Sequence, residues 1–165
     1  MKLCGFTDAD WAGSPMERKS TFGGIFSIGS TTVSWYSRKQ RSVALSSAEA
    51  EYMAGSLAAC EAIWMRKILV RLFGSHLEPT VIYCDNQSCI KISANPVFHD
   101  RSKHIDIRYN HIRDCVQRRI MMLSYIPTED QDADILTKAL TRSKFEFHRG
   151  RIGVADNPYI VEREC

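Results

Sequence analysis

Apolar and polar positions alternate or recur with different periods along this chain, and the periods divide it into strands and helices. Lys2 to Asp8 is a short apolar stretch of β character, and Gly13-Ser14-Pro15 is a turn. Phe22 to Ile28, the pair Gly29-Ser30, and Thr31 to Trp35 read as two strands joined by a tight turn. These segments predict three consecutive strands in an antiparallel meander. A loop, Ser37-Arg38-Lys39-Gln40-Arg41, follows. Ser46 and Glu49 then fit a capping box, in which each side chain satisfies a free backbone N–H at a helix start. A long helix is expected from Ser47 to Phe73, closed by Gly74. Met53, Leu57, Cys60, Trp64, Ile68 and Leu72 recur on it at spacings of three and four, and Ala58, Ala59, Ala62, Ile63 and Leu69 widen that stripe, which predicts a face packed on a sheet.

The second half alternates. Thr80 to Cys84 is a continuous apolar run short enough for a buried strand, and Asp85 ends it. Asn86 to Ala94 predicts a short helix stopped by Asn95-Pro96, and Ser102 to Arg118 a second helix. Ile120 to Ile126 predicts another strand, and Gln131 to Leu140 a final helix. The pattern weakens after Gly150, and Asp156-Asn157-Pro158 reads as a turn. Residues 1–154 are expected to form one domain and residues 155–165 a poorly ordered tail. The order β-β-β-α-β-α-α-β-α predicts an α/β fold, a mixed five-stranded sheet flanked by helices.

Composition narrows the class. A length of 165 residues suits one core, and 44% apolar with 25% charged residues suits a globular domain. A net charge of +3 permits a nucleic-acid partner without demanding one. The six cysteines contain no C-x-x-C pair, which favours free thiols in a reducing compartment. No apolar run reaches the length of a membrane span, and Asp8, Asp10 and Glu17 interrupt any leader. A cytoplasmic or nuclear setting is expected.

The chemistry lies in the acidic residues at element ends. Asp8 and Asp85 fall at predicted strand ends, Glu51 one turn into the long helix, and Asp134 near the start of the last helix. Four carboxylates brought together repel, and hard divalent cations ligated by oxygen make such a cluster tolerable. Carboxylate clusters holding two such ions hydrolyse phosphodiesters. Each residue has a plainer role available. Asp85 could cap the helix beginning at Asn86. Asp10 shares the side of Asp8, Glu49 belongs to the capping box, and Glu129, Asp130 and Asp132 crowd Asp134. His99, His104 and His111 lack a zinc-site spacing and read as structural. Trp35 and Trp64 read as core, whereas Trp11 is open to either role.

The ordered motifs Asp8-Ala9-Asp10-Trp11-Ala12-Gly13, Arg18-Lys19-Ser20-Thr21, Val33-Ser34-Trp35, Lys39-Gln40 and Leu45-Ser46-Ser47-Ala48-Glu49-Ala50-Glu51-Tyr52 continue through the second half. There they are Cys84-Asp85-Asn86-Gln87-Ser88, Asn95-Pro96-Val97-Phe98-His99, Lys103-His104-Ile105-Asp106 and Ala133-Asp134-Ile135-Leu136-Thr137-Lys138. Together they resemble the ribonuclease H domain of copia-type LTR retrotransposon polyproteins of plants, over residues 3 to 154. The resemblance implies a ribonuclease H-like fold and an endonuclease cutting the RNA strand of RNA–DNA hybrids. It implies catalytic and metal-binding roles for Asp8, Glu51, Asp85 and Asp134, with two Mg²⁺ ions for which Mn²⁺ can substitute. A reverse transcriptase domain of the parent polyprotein is the implied partner, and the chain reads as a fragment opened at an internal methionine. Candidate contacts to the hybrid are Arg38, Lys39 and Arg41, with Lys103, Lys138 and Arg142 secondary. Cellular ribonucleases H carry a histidine on the loop before the last aspartate; here the loop Pro127 to Asp132 has none. A catalytically silent polyprotein remnant is the competing reading. A transposase or integrase of the same general fold fits the D-E-D-D order less well.

Overall fold

Short apolar runs at the amino terminus pair as expected and extend further than their hydrophobic cores. In the structure, a computed structural model describing residues 2–13, 18–74, 77–94 and 111–155, β1 runs Leu3–Asp10, β2 Thr21–Ile28 and β3 Thr31–Lys39. β1 pairs antiparallel with β2, and β2 with β3, so the meander forms. β3 continues through Arg38 and Lys39, so these two residues lie on a strand end and only Gln40 and Arg41 begin the loop. Strand parity also corrects the assignment of Trp35. Tyr36 faces inward and is buried, so its neighbour Trp35 faces outward and is 63% exposed.

The helix α1, Ser47–Phe73, has the bounds the capping signals predict. Ser46 accepts the Glu49 N–H at 3.1 Å, and Gly74 ends the helix at φ 61°, where a side chain would be strained. The alanines of the expected face are buried, and part of its bulky stripe is not. Ala50, Ala54, Ala58, Ala59 and Ala62 are fully or almost fully buried, whereas Cys60, Trp64 and Leu72 of the bulky stripe are exposed. Small side chains let the helix approach closely, and the sheet supplies the volume through Phe26, Tyr36 and Ile82.

Two parallel crossovers complete the sheet. β4, Thr80–Cys84, pairs parallel with β1, and β5, Met121–Tyr125, pairs parallel with β4. The strand order is β3-β2-β1-β4-β5. Between β4 and β5 lie α2, Gln87–Ala94, and a helical stretch at 111–117, here α3. Parallel pairing sets the carboxyl ends of β1 and β4 side by side, the edge where α/β sheets gather their ligands.

The expected last helix is replaced by two short 3₁₀ turns, Thr128–Asp130 and Asp132–Leu136. The Gln131 side chain accepts the Ala133 N–H at 3.3 Å and donates to the Thr7 carbonyl at 3.0 Å, fixing a tighter winding. A further helix, α4, spans Arg142–Arg151 and was not expected, because its only buried residue is His148 and its face is largely polar. Lys103, His99, His104, the motifs at 95–99 and 103–106, the first part of the 102–118 helix and residues 156–165 lie outside the described residues.

Candidate active site

Asp8 lies near the end of β1, between strands, with 2% of its surface exposed. Asp85 follows β4 directly and is half-buried. It does not cap α2: Asn86 does, accepting the Cys89 N–H at 3.0 Å. Asp85 instead accepts the Thr128 hydroxyl at 2.8 Å, across to the loop that leads to Asp134. Glu51 points from the first turns of α1 into the sheet edge and is buried. Its Oε1 accepts the Ala9 N–H at 3.2 Å, beside Asp8, and its Oε2 lies 3.8 Å from the Cys84 thiol. Asp134 is carried by the second 3₁₀ turn and is 4% exposed.

Oxygens of Asp8, Asp85 and Asp134 lie within 4.8 Å of one another, and Glu51, Cys84 and Asp85 form an adjoining set within the same limit. Asp85 belongs to both, so all four candidate carboxylates meet in one place. Among the described residues, Asp10, Glu49, Glu129, Asp130, Asp132 and His111 are in neither set. Glu49 accepts the Leu45 N–H at 2.7 Å, consistent with a helix-start role. His111 Nε2 lies 3.5 Å from Cys60 and 4.0 Å from Cys115.

The cluster holds more negative charge than its surroundings stabilise. Burial pushes the Glu51 carboxyl up to about 11, and Cys84, Asp8 and Asp85 add to the shift. Burial and the nearby Asp8 push Asp134 up to about 6, while Lys138 opposes them. Asp8 is raised chiefly by burial, against the Thr137 hydroxyl and Lys138. Thr137 donates to Asp8 Oδ2 and lies 3.2 Å from the Asp134 carbonyl, joining the two ligand-bearing segments. Lys138 Nζ sits 3.0 Å from Asp134 Oδ2. Burial pulls its pKa down, yet Asp8, Asp134 and Asp85 together hold it above its ordinary value. Asp134 Oδ1 is buried without a hydrogen-bond partner. The all-oxygen set of Asp8, Asp85 and Asp134, with its spare buried acceptor, suits a hard divalent cation.

The remaining basic candidates separate by position. Across the strands Asp8 pairs with Gly23, and Gly23 with Ser37, so Arg38 and Lys39 lie about two strand spacings, roughly 10 Å, from Asp8. Arg38, Lys39 and Arg41 border a groove of about 570 Å³ with Phe22, Gln40, Met53 and Leu57. The Arg38 guanidinium stacks over Tyr36 at 5.3 Å. Arg142 pairs with Glu146 on α4 at 2.9 Å. Trp11, 48% exposed, donates from its indole to the Ala44 carbonyl at 3.1 Å.

Sequence reasoning missed Thr137, Gln131 and Thr128, which hold the carboxylates in place. Thr137 lay inside a quoted motif, but nothing local shows that its hydroxyl reaches a residue 129 positions away. Gly23 is another contributor. A Cβ there would meet Thr137 Cγ2 at 2.7 Å and the Ala133 carbonyl at 2.9 Å, so its absence lets the Asp134 turn close on β2.

No protein-family model matches the chain. It is 43% identical over 155 residues, 94% of its length, to the retrovirus-related Pol polyprotein from transposon TNT 1-94 of Nicotiana tabacum. It is 42% identical over 158 residues, 96% of its length, to the corresponding polyprotein from transposon RE1 of Arabidopsis thaliana. The chain spans only 12% and 11% of these two relatives. Among solved structures, LC11-RNase H1 in complex with RNA/DNA hybrid superimposes with a TM-score of 0.58 at 17% identity, over 82% of this chain and 94% of that one. The fold is therefore that of ribonuclease H, and within it the chain belongs to the ribonuclease H-like domains of retrotransposon Pol polyproteins.

Proposed function

We propose that this domain is a ribonuclease H that cleaves the RNA strand of RNA–DNA hybrids, using Asp8, Glu51, Asp85 and Asp134 to hold two Mg²⁺ ions, with Mn²⁺ able to substitute. The observation that carries the reading is the convergence of these four carboxylates, from four separate elements, at one sheet edge. Bound there, the ions would supply the Lewis acidity that activates water and stabilises a departing 3′ oxygen. Asp85, shared by both ligand sets, is half-exposed and so open to a phosphate from solvent. Glu51 takes its proton-free form only with compensating positive charge, since burial holds its carboxyl so high. Thr137 and Thr128 orient Asp8 and Asp85 through their hydroxyls. The expected products are a 5′-phosphate and a 3′-hydroxyl.

Arg38, Lys39 and Arg41, on the β3 side of the cluster, contact backbone phosphates of the hybrid, and Lys103, Lys138 and Arg142 are secondary contacts. Lys138 would first have to leave Asp134. Recognition of RNA in the cut strand rests on 2′-hydroxyls across a wide, shallow minor groove. The domain acts within a Pol polyprotein beside a reverse transcriptase domain that grips the same hybrid. Its free cysteines, with Cys84, Cys89 and Cys115 buried, suit the reducing cytoplasm or nucleus. Among the described residues no helix is long and apolar enough to cross a membrane.

A labelled hybrid incubated with the protein and Mg²⁺ tests the proposal. Wild type yields shortened RNA, and Asp85→Asn and Asp8→Asn, with circular dichroism unchanged, yield none. Undiminished cutting by Asp85→Asn would reject the site.

A further inference from the structure

The 3₁₀ turn that carries Asp134 is weakly held by its own backbone. The Asp134 N–H reaches the Gln131 carbonyl at 3.2 Å, and the Thr137 N–H reaches the Asp134 carbonyl at 3.2 Å. Bonds of this kind have poorer geometry than α-helical ones. The turn is held from outside instead. On the β1 side Gln131 ties it to the Thr7 carbonyl, one residue before Asp8. On the other side stands a buried ionic group that the chemistry above leaves unused. Asp132, 5% exposed, has its Oδ1 2.9 Å from His148 Nδ1 and 3.1 Å from Arg151 Nε. The Arg151 guanidinium also reaches Asp130 Oδ1 at 2.9 Å and lies over the Phe147 ring at 5.4 Å. The last turn of α4 therefore grips the segment at Asp130 and at Asp132, just ahead of Asp134.

We propose that His148, with Arg151 beside it, is a positioning residue for Asp134: by anchoring the buried Asp132 carboxylate it fixes the turn that delivers Asp134 to the carboxylate cluster. The proposal rests on the reading of that cluster as a metal site. Its physical basis is the burial of Asp132. Without His148 Nδ1–H the carboxylate keeps a solvent-edge partner in Arg151 but loses its interior one, and a buried carboxylate short of partners turns toward water. Asp132 and Asp134 share one 3₁₀ turn, so rotation of the first displaces the second. The loop histidine missing before Asp134 is not replaced by His148, which is 2% exposed and engaged by Asp132.

Two variants separate positioning from general stability. His148→Leu fills the space without a donor, and His148→Asn restores a side-chain N–H. Calorimetric titration with Mn²⁺ is compared among wild type, both variants and Asp134→Asn. Loss of a partner outside the ligands typically weakens metal binding about 10–100-fold. His148→Leu is expected near the lower end of that range and His148→Asn near wild type. Hydrogen exchange in EDTA gives a metal-free readout. The amides of Asp134, Thr137 and Lys138 should exchange faster in His148→Leu, while those of β1 and β4 do not. Should His148→Leu not fold, Arg151→Gln probes the outer face of the same carboxylate with the same readouts and a smaller loss. Unchanged Mn²⁺ affinity in a variant of a protein that binds Mn²⁺, or faster exchange spread evenly over the domain, overturns the positioning role alone. A wild type that binds Mn²⁺ no better than Asp134→Asn overturns the metal site and the proposal with it.

Discussion

Neutralising Asp85 should destroy a metal site and stabilise the metal-free protein at the same time. Asp85 shares with Asp8 and Asp134 a set of oxygens all within 4.8 Å. Two unit charges at that separation repel by about 3.5 kcal/mol at an effective dielectric of about 20, and by about 0.9 kcal/mol at that of water. Asp85 is half-buried and so lies between these limits. Its attraction to Lys138 reduces the gain further. A net stabilisation of about 1–2 kcal/mol remains for Asp85→Asn. The asparagine carbonyl can still accept the Thr128 hydroxyl, so no hydrogen bond is lost in exchange. In a domain of this size the gain raises Tm by about 2–8 °C. The assay is a thermal melt in EDTA at neutral pH and low ionic strength, repeated in high salt and with Mg²⁺. High salt should shrink the difference by screening. Mg²⁺ should reverse it, because wild type gains the binding free energy and the variant gains less. A variant that melts at or below wild type in EDTA at low salt would refute the idea that these carboxylates repel one another.

Two further perturbations follow from the same geometry. Asp134, pushed up to about 6 by burial and by Asp8, binds its proton more tightly folded than unfolded. Its contribution to stability is complete below its ordinary value of 3.8 and is lost as pH rises through about 6. Urea denaturation in EDTA should therefore show wild type losing stability relative to Asp134→Asn between about pH 4 and pH 7; parallel profiles would contradict this. Gly23→Ala places a Cβ 2.7 Å from Thr137 Cγ2 and 2.9 Å from the Ala133 carbonyl, against a backbone atom that cannot swing aside. The expected loss is about 1–3 kcal/mol by chemical denaturation, with weakened Mn²⁺ binding because the Asp134 turn is displaced.

Local signals were legible and tertiary ones were not. Ser46, Glu49 and Gly74 fixed α1 to the residue because capping depends on a few neighbouring backbone groups. The apolar run at Thr80–Cys84 marked β4 with the right ends for the same reason. The α1 face was legible in Met53, Leu69 and the alanines but read too wide, because hydrophobicity counts Trp64 and Leu72 with them, whereas close helix–sheet contact selects for small residues. The last helix was misplaced because the Asp132–Leu136 winding depends on Gln131 reaching Thr7, a partner 124 residues away. α4 carried no apolar stripe, since its one buried side chain is a histidine paired with an aspartate. The four candidate carboxylates were readable from their motif contexts, and the structure brings them together. The hydroxyls and the amide that hold them act on partners far off in sequence: Thr128 on Asp85, Gln131 on the Thr7 carbonyl and Thr137 on Asp8.

Three of the four candidate ligands, Asp85, Glu51 and Asp134, have a polar neighbour that takes over a local structural duty they could otherwise have performed. Asp85 stands at a helix start, yet Asn86 caps α2, and the aspartate stays free to face the cluster. Glu51 lies near the start of α1, where Ser46 and Glu49 satisfy the N–H groups of Glu49 and Leu45. Glu51 is thereby left to reach the Ala9 N–H beside Asp8. Asp132 absorbs His148 and Arg151, and Asp134, two residues on, keeps a buried oxygen without a partner. Pairing these three ligands with a substitute nearby in sequence separates folding from chemistry at the level of single side chains. This separation explains why removing a ligand charge should leave the fold intact or strengthen it, whereas removing a substitute should disturb the site through the fold.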